Sequence, residues 1–309
     1  MSRSTILRGT FVCLAVALLS TTAQAQLFRS YVSSTGNDAN PCTVQAPCRL
    51  LPAALAAVKD GGEVWILDSA NFNTSPVVIT KSVSILAIPG ALGSVVGSDG
   101  DAIEINTAGV NVTLRNLKIL NFSGGLNGIN MTNGASLKVE GCEVAGFATN
   151  PYAGIKVNTP AKVTIVDTIV RDNFGGIWFD NGSTGDVART TVVGNAWVGI
   201  LAYPTVNSTV AVTVTDTVAS NNSYGFATSA SATGKNAKMT VSRSTAAHNS
   251  DSGFVAGGNT AVMAVSGSVA SHNAYGFYEN GTFRSLGDNT VFDNTTADVF
   301  GTITVVAPK

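Results

Sequence analysis

A large apolar residue directly after a glycine recurs along most of the chain: Gly128-Ile129, Gly154-Ile155, Gly176-Ile177, Gly199-Ile200, Gly225-Phe226, Gly253-Phe254 and Gly276-Phe277. The intervals run from 22 to 28 residues. Self-similarity at that period marks one supersecondary unit stacked on copies of itself. Aligned on the glycine, an asparagine lies three or four residues upstream: Asn173, Asn195, Asn222, Asn249, Asn273 and, in the last copy, Asn294. Three residues before the asparagine is a small apolar side chain (Val170, Val192, Ala219, Ala246, Ala270, Val291). Five before it is a small polar one (Thr168, Thr190, Thr217, Ser244, Ser268, Asn289), and eight before it an apolar one again. Spacings of two and β-branched residues predict strands, and helical periodicity is absent. Each copy reads as two or three short strands joined by turns of Asn, Gly, Ser and Asp. Strands of successive copies then pair in parallel, about 4.8 Å apart, which makes the chain an all-β parallel β-helix.

Stacking turns these positions into columns. The residue after the glycine is expected to point inward as an Ile/Phe ladder. The asparagines are expected to form a buried ladder of amides bonded to each other and to turn backbone, with a row of ligand-binding amides as the alternative. Six residues before the asparagine, Asp167, Arg189, Asp216 and Arg243 alternate in sign, as an outward ladder of ion pairs would. Each exposed pair adds little, but a slip by one coil would bring like charges together. Two residues after the glycine, the outward column reads Asn130, Lys156, Trp178, Leu201, Ala227, Val255, Tyr278.

Regular copies are expected from about residue 112 to 294, within a β-helix spanning 63–309. Residues 26–62 read as an N-terminal cap region. There Leu50 to Lys59 is Ala- and Leu-rich, has Pro52 near its start, and runs into Gly61-Gly62, which predicts a short helix covering the end of the solenoid. Glu63 to Leu67 is expected to be the first strand, and residues 77–88 and 95–105 to be irregular early coils. Residues 1–25 read as a signal peptide: Arg3 and Arg8, an apolar run from Phe11 to Leu19, then Ala23-Gln24-Ala25. The run is too short for a stable membrane anchor. The expected destination is the periplasm or the exterior. Cys42 and Cys48, six apart between prolines, then predict a local disulfide, and Cys142 falls in the inward small-residue column as a buried thiol.

With 12% charged residues and a net charge of −1, the chain offers no electrostatic footprint for nucleic acid or an anionic membrane. The opening Tyr31-Val-Ser-Ser-Thr-Gly-Asn-Asp38, the Pro-Cys loop, the Gly61-Gly-Glu-Val-Trp-Ile-Leu67 segment and copies such as Val163-Thr-Ile-Val-Asp-Thr-Ile-Val-Arg-Asp-Asn173 resemble exported bacterial right-handed parallel β-helix proteins of the pectate-lyase-like superfold. That resemblance implies right-handed coiling over nearly the whole mature chain. It also implies carbohydrate chemistry in many members and none known in others. The Asn-Thr-Asp, Asp-Asp, Gly-His-Gly and Arg-Ile-Lys signatures of its galacturonan hydrolases, and the Asp-Pro-His-Asp of its epimerases, do not occur here. Its lyases bind calcium through clustered carboxylates; the nearest cluster is Asp99, Asp101 and Glu104, in a segment that also reads as an Asp-Gly turn. His248 and His272, in one register on successive coils, are candidates for acid–base work or members of a solvent-facing turn ladder. Lys156, Trp178, Trp197 and Tyr203 form a candidate sugar-binding patch. The expected function is polysaccharide binding along one face, with no cofactor. The alternatives are a lyase or hydrolase with an atypical site and an adhesin-like rod. Oligomeric state is left open.

Overall fold

The computed structural model describes residues 26–307, so the signal-peptide reading of residues 1–25 falls outside the described residues. The chain winds into a parallel β-solenoid of about ten coils. One coil shows the pattern: strands Gly175–Asp180, Thr184–Ala188 and Thr191–Val193, then Val198–Ala202 one step along the axis. Equivalent strands of successive coils pair in parallel, giving one wrapped sheet of 20 strands and a second of 10.

The interior is built from the predicted columns. Ile129, Ile155, Ile177, Ile200, Phe226, Phe254 and Phe277 are in mutual register and buried. The rings of Phe226 and Phe254 stack with centroids 5.0 Å apart. The asparagine column is a continuous buried ladder. The Nδ2 groups of Asn173, Asn195, Asn222, Asn249 and Asn273 each donate to the Oδ1 of the next asparagine at 2.9–3.2 Å. Each also donates to a backbone carbonyl of the preceding coil, while the same Oδ1 accepts the backbone N–H of its predecessor. A buried amide thus satisfies its own groups and joins three coils. Thr168, Thr190, Thr217, Ser244 and Ser268 form a second polar column, with hydroxyls donating to the carbonyl two residues back. Cys142 heads it as a buried free thiol whose pKa burial pushes up to about 11.

The repeating glycine answers to crowding. Gly199, Gly225 and Gly253 do not have positive φ angles. A Cβ on Gly225 would lie 2.5 Å from the Gly253 carbonyl oxygen and 3.1 Å from Asn249 Nδ2. Both neighbours belong to ladders that cannot yield cheaply. Gly225→Ala is therefore expected to destabilise the fold by about 1–3 kcal/mol through overpacking, read as a lowered denaturant midpoint.

Turn positions explain other columns. Asp172, Asn221, His248, His272 and Asp293 all have φ between 54° and 57°, the left-handed region that Asn, Asp and His tolerate best among non-glycine residues. The alternating charged column is also left-handed and exposed. Arg189 pairs with Asp167, and Arg243 with Asp216, each through two hydrogen bonds of 2.8 and 2.9 Å.

The N-terminal part differs in detail from expectation. Among the described residues the first element is a strand at Leu27–Val32, which pairs with Val58–Ile66. The helix covers Leu51–Ala57, with Leu51, Ala54 and Leu55 buried, and Gly61-Gly62 lie inside the following strand. Gly62 is needed there for close approach: a Cβ would meet the Phe28 carbonyl oxygen at 2.5 Å. Segments expected to be irregular instead contribute registered strands Val77–Ile79, Val83–Ala87, Gly93–Ser98 and Ile103–Asn106. The Cys42–Cys48 disulfide is formed beside the first strand.

Candidate functional site

Outward side chains of one strand per coil line up along the axis. In register they read Glu104, Asn130, Lys156, Trp178, Leu201, Ala227, Val255, Tyr278, Phe300. Large aromatic residues at Trp178 and Tyr278 are thus separated by three coils whose outward residues are small or medium apolar. Val198, Leu201 and Ala227 form an apolar cluster on this outer face, against which Trp178, Trp197, Tyr224 and Val255 pack. The result is a groove of about 400 Å³ with a low floor at Leu201, Ala227 and Val255. Its walls are Trp197, Tyr224, Tyr275 and Tyr278, and Asp251 also lines it.

Each wall is braced. Trp197 stacks on Phe174 (centroids 5.8 Å) and meets Trp178 edge-on at 5.3 Å. Trp178 lies directly over Gly175, where a Cβ would sit 2.3 Å from indole Nε1. Lys156 Nζ lies 5.3 Å from the Trp178 ring centroid. At the other end Tyr278 stacks on Phe300 (4.7 Å) and meets Tyr275 edge-on (5.3 Å). Ser252 Oγ donates to Asp251 Oδ1 at 2.6 Å. Burial, then the nearby Asp251 carboxylate, push the Tyr224 phenol above its ordinary pKa, so it stays an O–H group through neutral pH.

Trp178, Trp197 and Tyr203 come together, around a neighbouring depression of about 350 Å³ shared with Phe174 and Leu201. Lys156 is beside them, its ammonium over the Trp178 ring. Tyr224, Tyr275 and Asp251 were missed as members of a groove. Tyr224 and Tyr275 stand directly before the repeating glycine, at the position held elsewhere by Ala153, Gly175, Val198 and Ser252, and Asp251 stands two before it, in a column that also holds Tyr152, Phe174, Trp197 and Ser223. For the two tyrosines the available signal was a jump in side-chain size within their column, and for Asp251 a charge in a column otherwise uncharged.

His248 and His272 are exposed and stack with ring centroids 4.9 Å apart, at left-handed turns following strands of the ten-stranded sheet. Neither lines the groove. Asp99, Asp101 and Glu104 do not converge. Asp101 accepts from Asn127 on one carboxylate oxygen and from Asn130 on the other, and Glu104 accepts from Asn106. Among the described residues no group of three His, Cys, Asp or Glu side chains is placed to hold a metal ion, and this donor set does not fit the several anionic oxygens calcium takes.

A family model described as the right handed beta helix region matches residues 101–264. The structure is similar to that of pectate lyase Pel9A, with a TM-score of 0.67 at 15% identity over 90% of this chain and 80% of that one. At that identity the likeness is one of fold. A rhamnogalacturonan lyase aligns over 90% of this chain and 65% of its own, at 14% identity and a TM-score of 0.33. No curated protein matches in sequence.

Proposed function

The chain belongs to the right-handed β-helix family, and we propose that it binds a polysaccharide lengthwise in the groove between Trp178 and Tyr278. The observation that carries this reading is the outward row Trp178–Leu201–Ala227–Val255–Tyr278, aromatic at both ends and low between. Four steps of about 4.8 Å give a trough of about 19 Å, long and straight like an extended glycan. Aromatic walls suit it, because a ring buries the apolar face of a sugar while tyrosine hydroxyls bond at the edge.

A lone Asp251 in the lining supports retention better than hydrolysis, since hydrolysis of a glycosidic bond typically calls for two carboxyl groups flanking it. The helix Leu51–Ala57 acts in this reading as the cover of the N-terminal end. The Cys42–Cys48 disulfide and the Ala23-Gln24-Ala25 motif support export to the periplasm or beyond.

Retention on a panel of immobilised neutral, acidic and basic polysaccharides tests the proposal, with soluble product assayed in parallel. Retention on at least one glycan, weakened by Tyr275→Ala/Tyr278→Ala, is expected. Passage through every column, or retention indifferent to that pair, would rule the groove out as a glycan site. Product release abolished by a point change in the groove would replace binding with catalysis.

A further inference from the structure

The groove is acidic as well as aromatic. Among the described residues that line it, Asp251 is the one charged side chain. It is partly exposed, and the Ser252 hydroxyl holds one of its oxygens. The rings of Trp197, Tyr224, Tyr275 and Tyr278 line the same groove, with the Tyr224 phenol near the carboxylate. The basic residue of the outward row, Lys156, lies one coil before Trp178 with its ammonium over that ring, outside the groove lining.

Aromatic faces carry negative electrostatic potential, and a cation among several of them with a carboxylate at hand is attracted by both. An anionic sugar would meet the same carboxylate as a like charge, with no groove cation to offset it. A neutral sugar would stack on the rings but leave Asp251 without a counter-charge. The apolar floor of Leu201, Ala227 and Val255 lowers local screening, so one carboxylate has a stronger effect than on an open surface.

Resting on the glycan-binding reading, we infer that the groove selects a polymer carrying protonated amino groups, that is, a glycan of non-acetylated amino sugars. The sugar faces cover the floor and the aromatic walls. One ring's ammonium sits against Asp251, within the field of Trp197, Tyr224 and Tyr275. Acetylating the amine keeps the sugar's shape and removes its charge, which gives a matched pair of ligands.

The test is calorimetric titration of the protein with a soluble glucosamine oligomer, its fully N-acetylated counterpart and an oligogalacturonate. The glucosamine oligomer is expected to bind about tenfold or more tighter than the acetylated one. Its affinity should fall as salt is raised, and the oligogalacturonate should bind weakest. Asp251→Asn, which keeps the side-chain shape, should erase the preference. Should that variant fold poorly, the comparison of the two matched oligomers on the wild-type protein decides alone. Equal or tighter binding of the acetylated or galacturonate oligomer overturns the inference while the glycan groove stands. So does a preference that survives Asp251→Asn. Binding of none of the three, together with no retention on any immobilised glycan, removes both.

Discussion

Asn222→Ala is expected to destabilise the solenoid by about 3 kcal/mol or more, because one buried side chain there serves four polar partners on the two neighbouring coils. Asn222 is 3% exposed, so water cannot readily replace what it provides. Its Oδ1 accepts both the backbone N–H and the Nδ2 of Asn195, at 3.0 and 2.9 Å. Its Nδ2 donates to Asn249 Oδ1 and to the Val192 carbonyl, at 3.2 and 3.1 Å. Truncation leaves the Asn195 N–H and the Val192 carbonyl without those partners, and each orphaned buried group costs about 1–3 kcal/mol. Asn222→Asp keeps the acceptor but loses the donor and buries a charge, so it is expected to be nearly as damaging. Asn294→Ala, at a half-buried position on the last full coil closed by Asp298, should cost less. Denaturant midpoints of the three variants check the ranking; a loss below about 1 kcal/mol at Asn222 would mean that the ladder is incidental to stability.

The second large effect is expected on binding. Trp197 is a wall shared by both depressions on the outer face, and it packs against Phe174 and Trp178 together. A large aromatic in such a place, well packed behind and open in front, is the residue type on which binding energy concentrates, commonly about 2 kcal/mol or more. Trp197→Ala should therefore weaken glycan affinity about 30-fold or more. Stability should change less, because the indole lies on the outside of the sheet and the Ile/Phe ladder beneath it is untouched. His272→Ala, on another face, should leave affinity unchanged. Titration calorimetry of the wild-type protein and both variants with whichever glycan is retained measures both expectations. An unaltered affinity in Trp197→Ala would detach the groove from binding.

The inward columns were legible in the sequence because a solenoid repeats its solution. Ile177, Ile200 and Phe226 meet the same environment on successive coils, and so do Asn195 and Asn222. Repetition averages out the ambiguity of any single short strand. The groove was only half legible for the same reason. Trp178 and Tyr278 could be read from the outward column, but a groove depends equally on what is small between them. Ala227 and Val255 carry no chemical signal of their own. Tyr224 and Tyr275 stand in a column otherwise filled by smaller residues, and Asp251 follows Tyr152, Phe174, Trp197 and Ser223 in a column of no fixed type, so regular repetition does not announce them. Gly61-Gly62 misled for a physical reason: glycine stops a helix, yet it also admits a neighbouring backbone. Here Gly62 lies against the Phe28 carbonyl of a first strand that local pattern did not reveal.

The most direct measurement of glycan binding in the groove is a crystal structure of the protein with a bound glycan oligomer. Sugar rings are expected along the axis over Leu201, Ala227 and Val255, flanked by Trp197 and the Tyr275–Tyr278 pair. Sugar bound at the His248–His272 stack, or on the face formed by Thr184–Ala188 and its neighbours, with the groove left vacant, would contradict it.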